Sequence, residues 1–489
     1  MATTEVQEMK DMSIDREKST GANKVSPLEE SGETLPGAVN QGFDGQLTDI
    51  SNMAGLDLNN SELPPLTYVD FMPRCIGQSL DGKEPEFASY RTVMEQVNQW
   101  LISMPQYKIF KVETIDRKLL GEMKLDLDST LQHESSHGQN MYVRGIRIWI
   151  FPNPNPGDEV QQISYISILP DVSEGNSADV SLALSANYRM RAEHPVPAYD
   201  TLKITIEKLN RQLQHRPLAG KILNIETFSV KVVEGVGNEK PDTESSCWID
   251  SNRSSRLFLY ALRVYYITGQ QQFETIGYHD EVPDIVQTSE GLGVKVKYAP
   301  FTQVVTRTAR WIQEQTNVQV VNLQSINIPT EKRHGGQINF KSNISGYGEL
   351  PLSDSQFVKI LRTFYVTKQK SKHDQVMPSV NLTTRLFVPI RRGPKEFEAF
   401  SKTMQRAIAW LQVTKCPLYG METVDYVVSP DSTGNGVNED KVDLHINKHT
   451  GRYHLTCIRL YFSDKFEEPP VDVLPSVAED EAGWGCVIS

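Results

Sequence analysis

Residues 397–424 read FEAFSKTMQRAIAWLQVTKCPLYGMETV, and the parsing of the whole chain follows from this stretch. Phe397, Phe400, Met404, Ala407, Trp410 and Leu411 recur at the spacing of one face of a helix. After a short break, Met421-Glu422-Thr423-Val424 alternates apolar and polar residues, as a half-buried strand does. Upstream, the chain makes the same statement three more times. Tyr90 with Trp100-Leu101, Leu202 with Gln212-Leu213, and Phe301 with Trp311-Ile312 repeat the pair Phe400 with Trp410-Leu411. Each pair is ten residues apart, close to three helical turns, so both members share a face.

Strand anchors follow each helix in the same order. The first strands carry Val112-Glu113-Thr114-Ile115, Ile225-Glu226-Thr227-Phe228, Leu323-Gln324-Ser325-Ile326 and Met421-Glu422-Thr423-Val424. After a polar hairpin, the second strands carry Ile146-Arg147-Ile148-Trp149, Leu262-Arg263-Val264-Tyr265, Leu361-Arg362-Thr363-Phe364 and Ile458-Arg459-Leu460-Tyr461. The helix anchors at 90, 202, 301 and 400 set periods of 112, 99 and 99 residues. A third strand ending at a proline is expected to close each unit: Ile166–Pro170, a weaker Val282-Pro283, Leu386–Pro389 and Val471–Pro475.

The expected fold class is therefore α+β, with four tandem repeats, each an amphipathic helix packed on a small antiparallel sheet. The expected boundaries are 63–190, 191–292, 293–392 and 393–475. A sheet of about three strands buries too little apolar area to stand alone, so neighbouring modules should share sheets or pack helix against sheet. The Glu on the first strand and the Arg on the second predict a cross-strand ion pair or hydrogen bond that sets register. Trp100, Trp311 and Trp410 are expected as core anchors.

Flanking the repeats, residues 1–62 are rich in Glu, Ser, Gly, Asn and Thr and read as a disordered acidic tail, with Ile50-Met53-Leu56-Leu58 a scattered apolar patch. Order should begin with the extended run Leu63–Val69. The net charge of −12 belongs to the ends: residues 1–70 carry 13 acidic and 4 basic groups, and residues 464–489 carry 7 and 1. A near-neutral body lacks the clustered Lys and Arg that phosphate neutralisation needs, so no nucleic-acid partner is expected. Five irregularly spaced cysteines, Cys75, Cys247, Cys416, Cys457 and Cys486, indicate neither a disulfide framework nor a thiolate zinc site. No signal peptide and no run of 18 apolar residues is read.

Few motifs carry chemistry. His133-Glu134-Ser135-Ser136-His137 matches the zinc-hydrolase pattern, but Asp128-Ser129-Thr130 and Gly138-Gln139-Asn140 flank it, and a loop is expected instead of the helix that would bring both imidazoles to one metal. His445, His449 and His454, near Asp440 and Asp443, read as a solvated hairpin. Lys368, Lys370, Lys372, His373, Arg391, Arg392 and Lys395 would form a basic rim if the two ends of their module met. No phosphate loop, dinucleotide fingerprint or nucleophile elbow is present. Catalytic, cofactor-binding and metal residues are accordingly none.

The last four residues, Cys486-Val487-Ile488-Ser489, have the form C-a-a-X with Ser as X, which marks Cys486 as a farnesyl acceptor. The segment Glu479–Gly485 before it is acidic, not polybasic, so a second membrane signal is expected elsewhere. The sequence thus points to a cytoplasmic, prenylated, peripheral membrane protein that binds or scaffolds a protein partner through repeated modules. An enzyme or small-ligand carrier with a site between modules is the alternative; a cleft lined by His, Asp or Glu from two modules would favour the enzyme, and closed cores exposing only loops and an apolar patch would favour the scaffold.

Overall fold

The structure is a computed structural model that describes residues 65–474 apart from 79–84, 121–123, 136–138, 156, 174–181, 184–196, 233–240, 252–255, 290–294, 333–337, 340, 350–354, 368–379, 430–435 and 447–450. Both tails, the Ile50–Leu58 patch and Cys486 lie outside the described residues. What is described is mostly β, with four α-helices and four small antiparallel sheets set in a ring, like a four-bladed propeller. The helices start on the four repeat anchors: α1 Tyr90–Ser103, α2 Leu202–His215, α3 Phe301–Glu314 and α4 Phe400–Thr414. Tyr90, Leu202, Phe301 and Phe400 are all buried, as are Trp100 and Trp410. Trp311 is only half-buried and stacks on His279, with ring centroids 4.2 Å apart.

Each sheet is built on a central strand: Gln139–Pro152, Arg256–Thr268, Ser355–Thr367 and Arg452–Phe462. One edge pairs with the first strand of the same module: Tyr107–Lys118, Gly220–Val232, Val318–Pro329 and Leu418–Val428. The other edge is shared by two short strands from elsewhere. Its C-terminal half pairs with an outer strand that precedes the module's helix: Thr67–Phe71, Ile163–Ile168, Thr275–Glu281 and Thr383–Phe387. Its N-terminal half pairs with a strand from the hairpin of the following module. Cys247–Ser251 of module two joins module one, Gly346–Glu349 joins module two, and Asp443–Ile446 joins module three. Leu131–Glu134 of module one then pairs with Arg452–Leu455 of module four, which closes the ring.

This corrects the expected unit. The strands at 163–168, 275–281 and 383–387 belong to the sheet of the next module, not to the one they follow. The fourth expected closing strand is a 3-10 turn at Val471–Val473, and Thr67–Phe71 fills the equivalent role for module one. The physical reason is edge satisfaction: a three-stranded module would leave a row of unpaired backbone groups, and exchange covers them.

Further contacts run in the same direction. The side chain before three of the four helices is a poor cap: Ser89 accepts from the Thr92 N–H, but Thr201, Pro300 and Ala399 make no side-chain cap bond. Instead the first helical N–H donates to a carbonyl of the following module: Tyr90 to Glu244, Leu202 to Asn343, Phe301 to Asp440 and Phe400 to Asp128. Carboxylates strengthen three of these ends. Arg91 N–H donates to Glu244 (3.2 Å), Thr302 N–H to Asp440 (3.0 Å) and Ser401 N–H to Asp128 (2.7 Å). Capping of this kind is worth about 0.5–2 kcal/mol per helix, so no helix is complete without its neighbour.

At the inner strands the repeated Glu-Thr pairs also cross between modules. Glu113 accepts from the Thr423 N–H and hydroxyl, Glu226 from those of Thr114, and Glu422 from those of Ser325. Gln324 both accepts from Thr227 N–H (2.9 Å) and donates to Thr227 O (2.8 Å). Each Glu receives one aromatic donor from its own central strand: Trp149 Nε1 at 2.8 Å, Tyr265 Oη at 2.9 Å and Tyr461 Oη at 2.8 Å. In module three, which carries the neutral Gln324, the residue equivalent to these aromatic donors is Phe364, which has no donor to give. The arginines do stand opposite these Glu and Gln residues, as the register reading expects. Only Arg459 pairs with its Glu, at 3.3 Å. Arg147 forks onto Asp70 (2.6 and 2.6 Å) and Arg362 onto Asp280 (2.7 and 2.8 Å), both on outer strands, while Arg263 takes Ser167. In module four the outer-strand position is Leu386, which leaves Arg459 to Glu422. Three of the arginines also lie over the first helical ring of the preceding module: Arg147 over Phe400 (4.0 Å), Arg263 over Tyr90 (3.6 Å) and Arg459 over Phe301 (4.2 Å).

Candidate ligand cavity on the ring axis

Beyond the Glu-Thr layer the inner strands separate and leave two connected hollows of about 310 and 340 Å³. They share Ser229, Tyr347, Phe357, Asp425, Ile446 and His454. All four modules contribute to the walls, which puts the space on the ring axis. Strand alternation explains the lining. The face that carries Thr114 and Thr423 continues two residues on to Asp116 and Asp425, and the face that carries Thr227 continues to Ser229. From the central strands come Tyr142, Phe258, Phe357 and His454, which are equivalent positions. The exchanged strands supply Glu134, Asp250, Glu349 and Ile446, also equivalent to one another.

The charges here are held in place. Arg256 pairs with both Asp250 and Glu349, the latter at 2.8 Å, and both Asp250 and Arg256 are over nine-tenths buried. Arg452 Nη2 lies 2.8 Å and His454 Nε2 3.1 Å from Glu134. Burial pushes the Glu134 carboxyl up, but the His454 hydrogen bond and the Arg452 charge outweigh it and hold the group at about 2. Glu134 is thus a fixed charge at neutral pH and not a proton donor. Arg144 forks onto Asp116 (2.8 and 3.0 Å), and Asp425 accepts from the Thr456 hydroxyl (2.7 Å). Lys118 donates to His133 O and Lys231 to Ile249 O. Four buried atoms on the wall have no hydrogen-bond partner among the described residues: Asp250 Oδ1, Arg256 Nε, Trp248 Nε1 and Asn327 Oδ1.

The sequence motifs fall around this space in part. His133 and Glu134 lie on a strand, not in a loop, because Leu131–Glu134 is the segment that closes the ring. His133 and Glu134 both border the cavity, and the His133 ring meets Tyr453 at a tilt, with centroids 4.6 Å apart. His137 and His449 lie outside the described residues. Among those described, no group of three His, Cys, Asp or Glu residues is placed to hold a metal ion. Of the basic rim, Lys368, Lys370, Lys372 and His373 are outside the described residues, and Arg391 bonds Gly393 O and Pro394 O of its own turn. Cys75, Cys247, Cys416 and Cys457 are not joined in disulfides among the described residues.

Sequence reasoning missed Trp248, Asp250, Arg256 and Glu349. Their one signal is the departure of equivalent positions from the repeat, visible only once the modules are aligned through their exchanged strands. It also missed Lys359, buried with its amine 3.8 Å from the Tyr426 ring centroid; burial and the nearby Arg459 charge push this amine down to about 7. Lys359 does not line either hollow. Comparison with protein families, curated proteins and solved structures returned no match. Among the described residues, no helix is long and apolar enough to cross a membrane.

Proposed function

We propose that this chain is a non-catalytic binding protein: a four-module α+β repeat ring that carries a small ligand on its axis and is held on the cytosolic face of a membrane by a farnesyl group on Cys486. The observation that carries the ligand reading is the axial cavity, with His, Asp and Glu side chains from more than one module on its wall. Its volume sits at the small end of the range for small-molecule sites, about 300–1,000 Å³. Asp116, Glu134, Asp250 and Glu349 there are each held by an arginine, which suits recognition better than proton transfer.

Supporting the membrane reading is a second repeated feature. One to three residues after the proline that ends each outer strand stands an exposed aliphatic residue: Ile76, Val172, Ile285 with Val286, and Ile390, each more than half exposed. A single prenyl chain gives only marginal membrane binding, and scattered aliphatic contacts of this kind are a suitable supplement to it. A protein partner is the second reading. In its favour is a groove of about 850 Å³ at the contact of modules one and two, lined by Ile76, Phe87, Glu244 and Trp248 among others.

The test of the membrane half is Cys486→Ser. Intact mass of the native protein should show a farnesylated Cys486, and the variant should move from the membrane to the soluble fraction with its fold unchanged. Identical partitioning of both forms, with an unmodified C-terminal peptide from native tissue, would contradict it.

A further inference from the structure

We infer that one face of the ring docks on a bilayer of zwitterionic lipid through four equivalent hairpins; this rests on reading the chain as a peripheral membrane protein, and adds which face meets the lipid and which lipid it takes. The placement follows from register. The outer strands end at Phe71, Ile168, Glu281 and Phe387, opposite Ile146, Leu262, Leu361 and Ile458. Each of those partners sits one residue before a repeat arginine, so the chain leaves all four sheets at one level and in one direction. A buried proline follows two residues on, and then a hairpin that leads back to the helix. The same hydrogen bond closes every hairpin, from the N–H two residues before the helix to the carbonyl just after the proline. It joins Ala88 to Arg74 (2.8 Å), Asp200 to Asp171 (2.9 Å), Ala299 to Asp284 (2.8 Å) and Glu398 to Ile390 (2.8 Å). Hairpins that leave at one level and close alike lie on one face of the ring. Ile76 shares a groove with Lys231 and Trp248, which also line the axial cavity, so this is the face nearer the cavity.

The hairpins repeat a chemistry as well as a geometry. One residue before the closing N–H stands an aromatic ring on a cross-strand pair: Phe87 opposite Cys75, Tyr199 opposite Val172, Tyr298 opposite Ile285 and Phe397 opposite Arg391. All four rings are half-buried. The exposed aliphatics Ile76, Val172, Ile285 with Val286, and Ile390 fall on those partners or next to them. An apolar side chain in water beside a partly exposed ring suits the boundary between headgroups and acyl chains. One exposed aliphatic needs no explanation, but exposure at the same place in every repeat does. The four points are spread around a ring, where a flat partner of uniform chemistry meets them all at once. A bilayer is such a partner, whereas a protein would need four separate matching pockets.

The lipid class follows from charge. Residues 74–89, 171–201, 284–300 and 390–399 together carry 9 basic and 12 acidic groups. Anionic headgroups draw in clustered Lys and Arg, and this face has no excess of them to offer. Its binding comes from apolar burial, so it needs no anionic lipid and resists salt. The face is then the second signal that a single prenyl chain requires.

The experiment is vesicle flotation of the full chain, farnesylated and unfarnesylated, on phosphatidylcholine alone and with added phosphatidylserine. The farnesylated chain should bind phosphatidylcholine, with no gain from phosphatidylserine and no loss in high salt. Ile76→Ser with Ile390→Ser should weaken that binding about tenfold. Adding Val172→Ser, Ile285→Ser and Val286→Ser should reduce it to that of a farnesylated peptide of residues 475–489. The melting temperature should stay in place, since every changed side chain is exposed. Phe273→Ser is the control for the opposite face, because Phe273 is exposed between Thr268, where a central strand ends, and Thr275, where the next outer strand begins. It should change nothing. Farnesyl-dependent binding that the hairpin variants leave intact, or that only Phe273→Ser weakens, would overturn the inference and leave the membrane reading standing. Binding that needs phosphatidylserine or is lost in salt would overturn the zwitterionic class. Should native Cys486 prove unmodified, binding of the unfarnesylated chain that the hairpin variants abolish would keep the docking face without the prenyl group. No flotation of either form would overturn both.

Discussion

The two ends of the inner strands follow different rules. In the packed layer every module has the same chemistry: Glu or Gln, then Thr or Ser, opposite an Arg. Two residues further along the same face the modules part company, with Asp116, Ser229, Asn327 and Asp425 at equivalent places. A closed ring asks the same thing of each module wherever modules hold one another, so the holding residues repeat. The ligand proposed for the axis would have no fourfold symmetry, and the residues that meet it would not need to repeat. Within one chain, then, sameness among repeats marks the joint, and difference is what the proposed site would show.

The sharpest way to break this contrast is to damage the joint. Asp70 and Arg147 are almost wholly buried and meet through two 2.6 Å hydrogen bonds. Asp70→Ala leaves that guanidinium uncompensated and should cost about 3–5 kcal/mol, read by chemical denaturation. A loss below about 1 kcal/mol would mean that the repeated arginines do not hold the ring.

Module three offers a subtler probe, because it carries Gln324 and Phe364 at the positions where the others carry Glu and Trp or Tyr. Gln324→Glu puts a half-buried carboxylate there without its aromatic donor and should cost about 1–3 kcal/mol. Adding Phe364→Tyr should recover part of it, since the hydroxyl would stand where Tyr265 and Tyr461 stand in their modules. Equal stability of the single and double variants would show that the aromatic donor and the carboxylate are not coupled.

Lys359 tests the joint by pH. Its amine is held at about 7, well below the ordinary 10.5, by burial and by Arg459. The unfolded chain therefore binds more protons between pH 7 and about 10, and stability should rise with pH across that window. Lys359→Met should stabilise the protein at neutral pH, by less at pH 10, and flatten the rise. An unchanged pH profile in the variant would remove Lys359 as its source.

Much of the joint was legible in the sequence. The helix starts at Tyr90, Leu202, Phe301 and Phe400 lie where the repeat puts them, because each is the first buried residue of an amphipathic face. The register of Glu113 with Arg147, and of its three counterparts, was legible for the same reason: strands have a strict period of two. The direction of strand exchange was not. Leu386-Phe387-Val388-Pro389 follows module three in sequence, and nothing local says that its hydrogen bonds go to residues 458–462. Helix caps were hidden likewise, since Asp128 caps a helix that begins at Phe400. The cavity was least legible, because its residues lack a common pattern by their nature.

The central claim is that the four modules form a closed ring, and the contact that closes it is the pairing of residues 131–134 with 452–455. His133 and Tyr453 stand directly opposite each other there, with their rings in contact. A chain carrying His133→Cys and Tyr453→Cys should form an intramolecular 133–453 disulfide under mild oxidation, since opposed strand residues have Cα atoms within the roughly 4.4–6.8 Å that a disulfide spans. Peptide mapping of the oxidised monomer should recover that link in high yield. Free thiols at 133 and 453, or links only between separate chains, would contradict the closed ring.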